Sequence, residues 1–527
     1  MSGKTSRHHV GTRCSAGDWP PRGKEPARSD DLLQQENGKL RKQVAEQEKQ
    51  IAEQEKQIAE QEQHIAEHQE QITEQQEQIA DLQRQLTAFQ KNSSNSSKPP
   101  SSDAPFKPAR ARRPRPKSKR KPGGQLGHPG HWRPQVPPNQ VQQVVPVLPL
   151  CCKHCGQGLP QRIEELQTVG QPYCHQVTEL PPIQPYVIEY QCHQVTCPHC
   201  GETTQAPLPA HVQGQFGPQL MALIAYLTVV CRMPRRVLES FLEEALNISV
   251  SLGSTQNLWQ RVSAAVAQPC QELEEQLKHE PVLNSDETGW RSDGERRYLW
   301  ALVARMFVFY TVAQTRSSEV LIHLLGAVFA GILCSDRYSA YFKYQKGRAQ
   351  LCWAHLKRDI LGIQDFAKTT EAERFARDAL ALYASLFRLW RKFQGNLITR
   401  DQLVQRSIRL QKGWFALAER HLDSEDRAVR NLAIALFQHC DRLFTFLQYP
   451  GVEPTNNAAE RALRIAVQWR KTSFGNRSAL GEIATARLLT VSQTCRMQGR
   501  SALIYLGSAV SCHRRGVSAP SLLITSR

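Results

Sequence analysis

The sequence has no long apolar run. Its longest, Met221 to Cys231, falls far short of the ~20 residues that a membrane-spanning helix requires, so such a helix is excluded. The N-terminus is polar and lacks an apolar signal core, which argues against secretion. Nor is this a small cysteine-dense scaffold: 15 cysteines are spread over 527 residues, several of them in pairs. That usage suits metal binding in a reducing cytoplasm better than disulfides. Acidic residues are in deficit, with 49 Asp and Glu against 67 Lys and Arg and a net charge of +18. A surplus of that size points to a polyanionic partner, either nucleic acid or an anionic membrane surface. At roughly 100–200 residues per domain, the length predicts about three or four structural units.

The charge is unevenly divided along the chain. Residues 1–30 are polar and aperiodic and are expected to be a disordered leader. Residues 31–90 carry 13 acidic and 6 basic side chains, no proline, and Gly38 as their one glycine. Val44, Ile51, Ile58, Ile65, Ile72, Ile79 and Leu86 recur every seven residues within near-copies of AEQEKQI. With these at heptad position a, Leu33, Leu40 and Leu82 fall at d, together with Gln47, Gln54, Gln61, His68 and Gln75. β-Branched residues at a favour a two-stranded parallel coil, and polar residues at d weaken it. A homodimeric coiled coil is expected, with a solvated single helix or spacer as the alternative. Residues 91–144 lose the period and read as a basic Pro/Ser-rich linker. Between 98 and 133 it holds 11 basic side chains and 1 acidic one. Arg110, Arg112, Arg113, Arg115, Lys117, Lys119, Arg120 and Lys121 stand close together among prolines. An extended chain of this kind tracks DNA phosphates, giving affinity rather than sequence choice.

Residues 145–205 contain two CxxC knuckles, Cys152-Lys-His-Cys155 and Cys197-Pro-His-Cys200, separated by 41 residues. A glycine follows each one (Gly156 and Gly201), which permits the tight turn that aims both sulfurs at one ion. Four thiolates suit a closed, tetrahedral, structural Zn²⁺. Cys151, His154, Cys192, His193 and His199 are competing ligands, and a redox CxxC is the alternative. YVIEYQCHQVTCPHCG alternates like a strand entering the second knuckle. Residues 206–280 read as helices. The turn at Gly253, followed by a helix capped by Ser254, resembles helix-turn-helix spacing and would present Ser254, Thr255, Gln256 and Asn257 to base edges. A plain helical support layer is the competing reading.

The chemistry of the chain is expected in three acidic positions within residues 281–500. PVLNSDETGW puts Asp286 at the end of a short strand, and GILCSDRYSAY puts Asp336 at the end of a buried one. Between them lie two β-rich runs and a crossover helix over 317–329. Strand, strand, strand, helix, strand is the order of a ribonuclease H-like α/β fold, in which the first and fourth strands are parallel neighbours. Asp286 and Asp336 would then meet at one sheet end, where a hard cation, Mg²⁺ or Mn²⁺, neutralises them. Glu460 in EPTNNAAERALR is the candidate third ligand. Glu287 competes with Asp286, although strand alternation points it away. Asn457 and Glu460 also fit a capping box, and Arg461 or Arg464 could pair with Glu460. A helical insertion is expected at about 360–450. His355, just past a fifth strand, either orients a phosphate or water or is structural.

Taken together, KNSSNSSKPPSSD, KPGGQLGHPG, CCKHCG…CPHCG, LNSDETGW, CSDRYSAY, LCWAHLKRD and EPTNNAAERALRIAVQWRKTSFG resemble, in that order, transposases of the insertion sequence 66 family. The resemblance covers roughly residues 31–515, and the tail 501–527 is similar as well, so no gross truncation is expected. It implies a DDE transposase: a ribonuclease H-like catalytic domain with a helical insertion, preceded by a coiled coil and a small zinc-binding domain. Asp286, Asp336 and Glu460 align with the triad that holds Mg²⁺. Thr455 stands where relatives carry an Asp, which removes a possible spare carboxylate and favours Glu460. The expected partners are the element's terminal inverted repeats, target DNA, a second copy of the chain and accessory proteins of the same element, in the bacterial cytoplasm and on the nucleoid. A nuclease that cuts without joining, or an inactive DNA-binding relative, are the alternatives.

Overall fold

The computed structural model describes residues 29–93, 95–96, 123, 127–129 and 133–524. Residues 1–28 of the expected leader and the cation cluster from Arg110 to Lys121 lie outside the described residues, and Ser29 and Asp30 already belong to the first helix. The chain divides into two units, residues 1–90 and 91–527. The first contains one helix, α1 (Ser29–Gln90). Its Glu, Gln, Ala, Lys and Leu are strong helix formers and proline is absent. The heptad residues lie along it about half exposed: Ile51 53%, Ile58 54%, Ile65 57% and Ile72 53%.

The second unit opens with largely irregular chain. A short antiparallel hairpin of β1 (Gln194–Thr196) and β2 (Thr203–Gln205) flanks the second knuckle. The strand expected to enter that knuckle is therefore confined to three residues. Four helices follow: α2 (Pro218–Val229), α3 (Arg235–Leu246), α4 (Leu252–Ala265) and α5 (Ala267–Leu277). Asn247 closes α3 in the left-handed conformation at φ 54°. The cap of α4 is Ser251, whose hydroxyl accepts the Ser254 N–H at 3.2 Å, and not Ser254 as expected. Ser254 sits in the first turn.

A five-stranded mixed sheet forms the centre. Its elements are β3 (Val282–Ser292), β4 (Glu295–Val303), β5 (Val308–Ala313), α6 (Ser318–Leu325), β6 (Ile332–Ser335), α7 (Ser339–Tyr344) and β7 (Ala349–Leu351). The order across the sheet is β5-β4-β3-β6-β7. The β3–β4 turn is Asp293-Gly294, with φ 50° and 79°, the Asp-Gly pair that a two-residue hairpin favours. β3 and β6 are parallel neighbours, with Val282 opposite Ile332, Leu283 opposite Leu333 and Asn284 opposite Cys334.

A helical module follows β7: α8 (Trp353–Phe366), α9 (Thr370–Gln394), α10 (Arg400–Arg420), α11 (Arg427–Gln438), α12 (Cys440–Leu443) and α13 (Thr445–Gln448). Its core is aromatic, with Trp353 edge-on to Trp414 and Phe444 at 5.1 and 5.4 Å. Ile332, Cys334 and Leu351 of the sheet belong to the same core, so the module packs on the β6–β7 side. Gln350 ties it down, donating to the Leu443 carbonyl at 3.1 Å and accepting the Phe446 N–H at 2.8 Å.

The chain then returns to the sheet with α14 (Asn457–Ser473), α15 (Ala479–Met497) and α16 (Ala502–Arg514). Edge strand β5 has unpaired backbone groups on its outer side, and α15 covers them. Thr494 and Thr490 hydroxyls accept the Val308 and Tyr310 N–H groups at 3.1 and 3.0 Å. α16 packs on α2, and one hydrophobic core joins α2–α5, the sheet and α14–α16. No described helix is long and apolar enough to cross a membrane.

Asn476 locks the α14–α15 link to β3. Its Oδ1 accepts the Trp290 indole N–H at 2.6 Å, and its amide donates to Gly481 O and Thr485 Oγ1 at 3.0 and 2.8 Å. Its backbone joins Arg291 and Asp293 at 2.9 Å each. Asn476→Ala leaves a buried indole N–H unsatisfied and should destabilise this unit by about 2–3 kcal/mol, measured by denaturant unfolding followed by tryptophan fluorescence.

Candidate active site

The β3–β6 register sets two carboxylates level. Asp286 lies two residues beyond Asn284, and Asp336 lies two beyond its partner Cys334. Asp286 is mid-strand, however, and not at a strand end as expected. β3 continues to Ser292 because it pairs with β4 throughout, and it is β6 that stops. Asp286 therefore occupies the open edge left where β6 ends.

Desolvation, then the charges of Glu287, Asp336 and Glu460, hold Asp286 well above the ordinary carboxylate range. Its one offsetting contact is the Glu287 N–H, donating to Oδ1 at 3.0 Å. Asp336 is also raised by burial, offset by the Tyr338 N–H at 2.9 Å and by Arg316 and Arg337. Glu287 remains within electrostatic reach of both Asp286 and Asp336. It is buried and accepts from Arg316 Nε and the Tyr341 hydroxyl, so it is engaged in the fold.

Glu460 enters from the first turn of α14. The capping-box alternative fails: the N-cap is Asn456, no side chain caps the helix, and Asn457 is already helical. The Glu460 carboxylate instead accepts from Arg358 Nη2 at 2.6 Å and lies 3.6 Å from His355 Nδ1. Among the described residues, neither Arg461 nor Arg464 pairs with it. Burial, with Arg358 and Arg337 nearby, lowers the His355 imidazole to about 3, so it is neutral at pH 7. The wider cluster follows a pattern: Glu287 has Arg316, Asp359 has Arg337, and Glu460 has Arg358. Among the described residues, Asp286 has no paired cation. A partly buried carboxyl with no paired cation, whose ionised form is disfavoured until a cation arrives, is what a divalent cation such as Mg²⁺ fits. The carboxylates of Asp286, Asp336 and Glu460 are not gathered within 4.8 Å of one another, and Glu460 is held by Arg358.

Arg316, Arg337, Arg358, Asp359, Tyr341 and Asn456 were not singled out by sequence as site residues. Arg358 and Asp359 do stand in the LCWAHLKRD motif. Asn456 donates to the Ser285 carbonyl at 2.7 Å and to Cys352 Sγ at 3.1 Å, joining the elements that carry Asp286 and Glu460. The proposed base-reading face of α4 is largely spent. Thr255 is buried and bonds Leu252 O at 2.7 Å, and Gln256 accepts from Arg235 at 2.9 Å. Asn257 remains exposed.

The two CxxC knuckles have the same local fold. Gly156 N–H donates to Cys152 O at 2.9 Å, and Gly201 N–H donates to Cys197 O at 3.0 Å. Both glycines have positive φ, 74° and 77°. Backbone N–H groups of Cys155 and His154 lower the Cys152 thiol, and those of Cys200 and His199 lower Cys197. Each knuckle thus favours the thiolate form of its first cysteine. Cys152, Cys155, Cys197 and Cys200 do not, however, form one group with sulfurs within 4.8 Å.

The profile of the Transposase IS66 family matches residues 213–482, just over half of the chain and all three acidic positions. A family of unknown function (DUF6444) matches residues 19–134. Uncharacterized protein y4hP of Sinorhizobium fredii (strain NBRC 101917 / NGR234) is 25% identical over 397 residues, covering 68% of this chain and 69% of its own. Uncharacterized protein y4qI of the same organism is 29% identical over 215 residues, 38% of this chain and 39% of its own length.

Because Asp286 and Asp336 have raised values, the folded chain binds protons more tightly than the unfolded one. Without metal, stability should fall as pH rises from the ordinary carboxylate range, about 4, through the raised values. Asp286→Asn should therefore raise the melting temperature at pH 7.5 in chelator by about 2 °C or more. Mg²⁺ should stabilise the wild type and not the variant, both read by calorimetry.

Proposed function

The chain belongs to the IS66 family of transposases, and on that premise we propose that it is a DDE enzyme acting on the ends of a bacterial insertion sequence. The observation that carries this reading is Asp286: a desolvated carboxylate with no cation, repelled by Asp336 and Glu460 from two other elements. The strand order β5-β4-β3-β6-β7, with β3 and β6 parallel, supports a ribonuclease H-like catalytic fold with the helical module as its insertion. Asp286, Asp336 and Glu460 would hold two Mg²⁺ (or Mn²⁺). When bound, these ions supply charge neutralisation at the scissile phosphate and activation of the attacking oxygen.

The chain's own residues do the rest. Asp286 would give up its proton to the solvent and offer a carboxylate with no paired cation; Asp336 is steadied by the Tyr338 N–H; Glu460 would exchange Arg358 for the site. Water cleaves one phosphodiester at each element end, leaving a 3′-hydroxyl. That hydroxyl then attacks a target phosphodiester in line and expels a new 3′-oxygen. No covalent protein–DNA intermediate is involved. The linker cations Arg110 to Lys121 would grip phosphates, the knuckle cysteines would take a structural Zn²⁺, and accessory proteins of the element would assist on the nucleoid. The half-exposed isoleucine stripe of α1 supports a parallel homodimer through a coiled coil.

Asp286→Asn should lower cleavage of a labelled element end by about 10³-fold or more while retaining DNA binding by gel shift. Full cleavage by that variant overturns the triad. Joined products with a 3′-hydroxyl donor distinguish transposition from simple nuclease action. Separately, Ile58→Asp combined with Ile65→Asp should convert a dimer into a monomer in sedimentation; an unchanged mass removes the coiled-coil assignment.

A further inference from the structure

A second set of donors adjoins the triad and differs from it in chemistry. Cys352 precedes α8 as its N-cap and is 1% exposed; His355 lies in the first turn of that helix. One donor atom each from Cys352, His355 and Glu460 lies within 4.8 Å of the other two. Among the described residues this is the one group of three or more potential ligands drawn so close.

The Cys352-x-x-His355 turn shares the backbone N–H contacts of the two cysteine knuckles, but burial pushes its thiol up to about 11 where theirs are lowered, so a bound cation is needed to draw off its proton. Its sulfur faces backbone N–H groups, those of Asn456 at 3.1 Å, His355 and Ala354. Two buried polar atoms here have no hydrogen-bond partner, His355 Nδ1 and Asn456 Oδ1. Asn456 is itself 1% exposed. A neutral imidazole with an unspent nitrogen is a ligand in waiting. One soft sulfur, one imidazole nitrogen and one carboxylate oxygen select a borderline cation such as Zn²⁺ over Mg²⁺, which takes oxygen alone.

We propose that Cys352, His355 and Glu460 form a Zn²⁺ site distinct from the knuckles, and that filling it withdraws Glu460 from the acidic triad. On binding, the Cys352 thiol gives its proton to solvent and its sulfur bonds the ion; Glu460 releases Arg358. Zinc at this site and the triad's own metals compete for one carboxylate, so zinc antagonises the Mg²⁺-dependent reaction. The antagonism rests on the function proposed above; the binding itself does not.

The test uses the full chain, stripped with chelator, reloaded with Zn²⁺ and desalted. Elemental analysis should find one more zinc per chain in the wild type than in Cys352→Ser or His355→Ala, with the knuckles intact in all three. Loss of a direct ligand should weaken this zinc by more than the ~10–100-fold that loss of an outer-shell partner costs. In Co²⁺-loaded protein, the thiolate charge-transfer band per chain should fall in Cys352→Ser and in no control variant outside the two kinds of site. His355→Ala, which leaves the buried cap in place, serves if Cys352→Ser unfolds by circular dichroism. Equal zinc content in the wild type and folded variants overturns the site. The cleavage ratio with and without Zn²⁺ then tests antagonism: the wild type should lose activity and Cys352→Ser should lose less. Extra zinc in a wild type that never cleaves with Mg²⁺ upholds the zinc site and defeats the triad instead.

Discussion

Everything at the acidic centre follows from three paired residues. Val282, Leu283 and Asn284 run parallel to Ile332, Leu333 and Cys334, and two residues further on each strand a carboxylate arrives at the same level. Like charges placed level and desolvated repel, so the surrounding structure must answer them. It does so unevenly. Three arginines each take a neighbouring acid, and Asp286 is left with a single backbone N–H. A fold that needed only stability would have neutralised that residue too. Leaving it without a cation partner, at the point where β6 ends and the sheet opens, is a local cost of ionising it that makes sense if a cation completes the site.

Much of this was legible in the chain. The heptads of α1 and the paired knuckles with their glycines depend on local spacing, which sequence records directly. The parallel pairing of the first and fourth strands was also legible, because crossover rules leave few topologies open. What escaped depends on distant partners. Asp286 was expected at a strand end, since the apolar run stops there; pairing with β4 carries the strand on through Glu287, Thr288 and Gly289. Asn457 and Glu460 have capping-box spacing, yet Arg358, 102 residues earlier, takes the glutamate. Thr255 and Gln256 looked available to DNA until Leu252 and Arg235 claimed them.

The helices before and after the sheet share a single core, with α2 against α16 and α15 over β5. The sheet alone has an exposed edge at β5, and threonines of α15 close it with side chains rather than with a sixth strand. Position and protection of the site are thus supplied by segments late in the chain.

That ordering bears on how the protein is made. On the ribosome, the strands bearing Asp286 and Asp336 emerge first, then the whole helical module, and only afterwards α14 with Glu460. The contact from Arg358 to Glu460 spans 102 residues, so loop closure makes it a late event in folding. A nascent or prematurely ended chain can build most of the sheet and still lack the third acid. The interposed module therefore separates the two partners in time: Glu460 can reach Arg358 only after the helices between them have been synthesised.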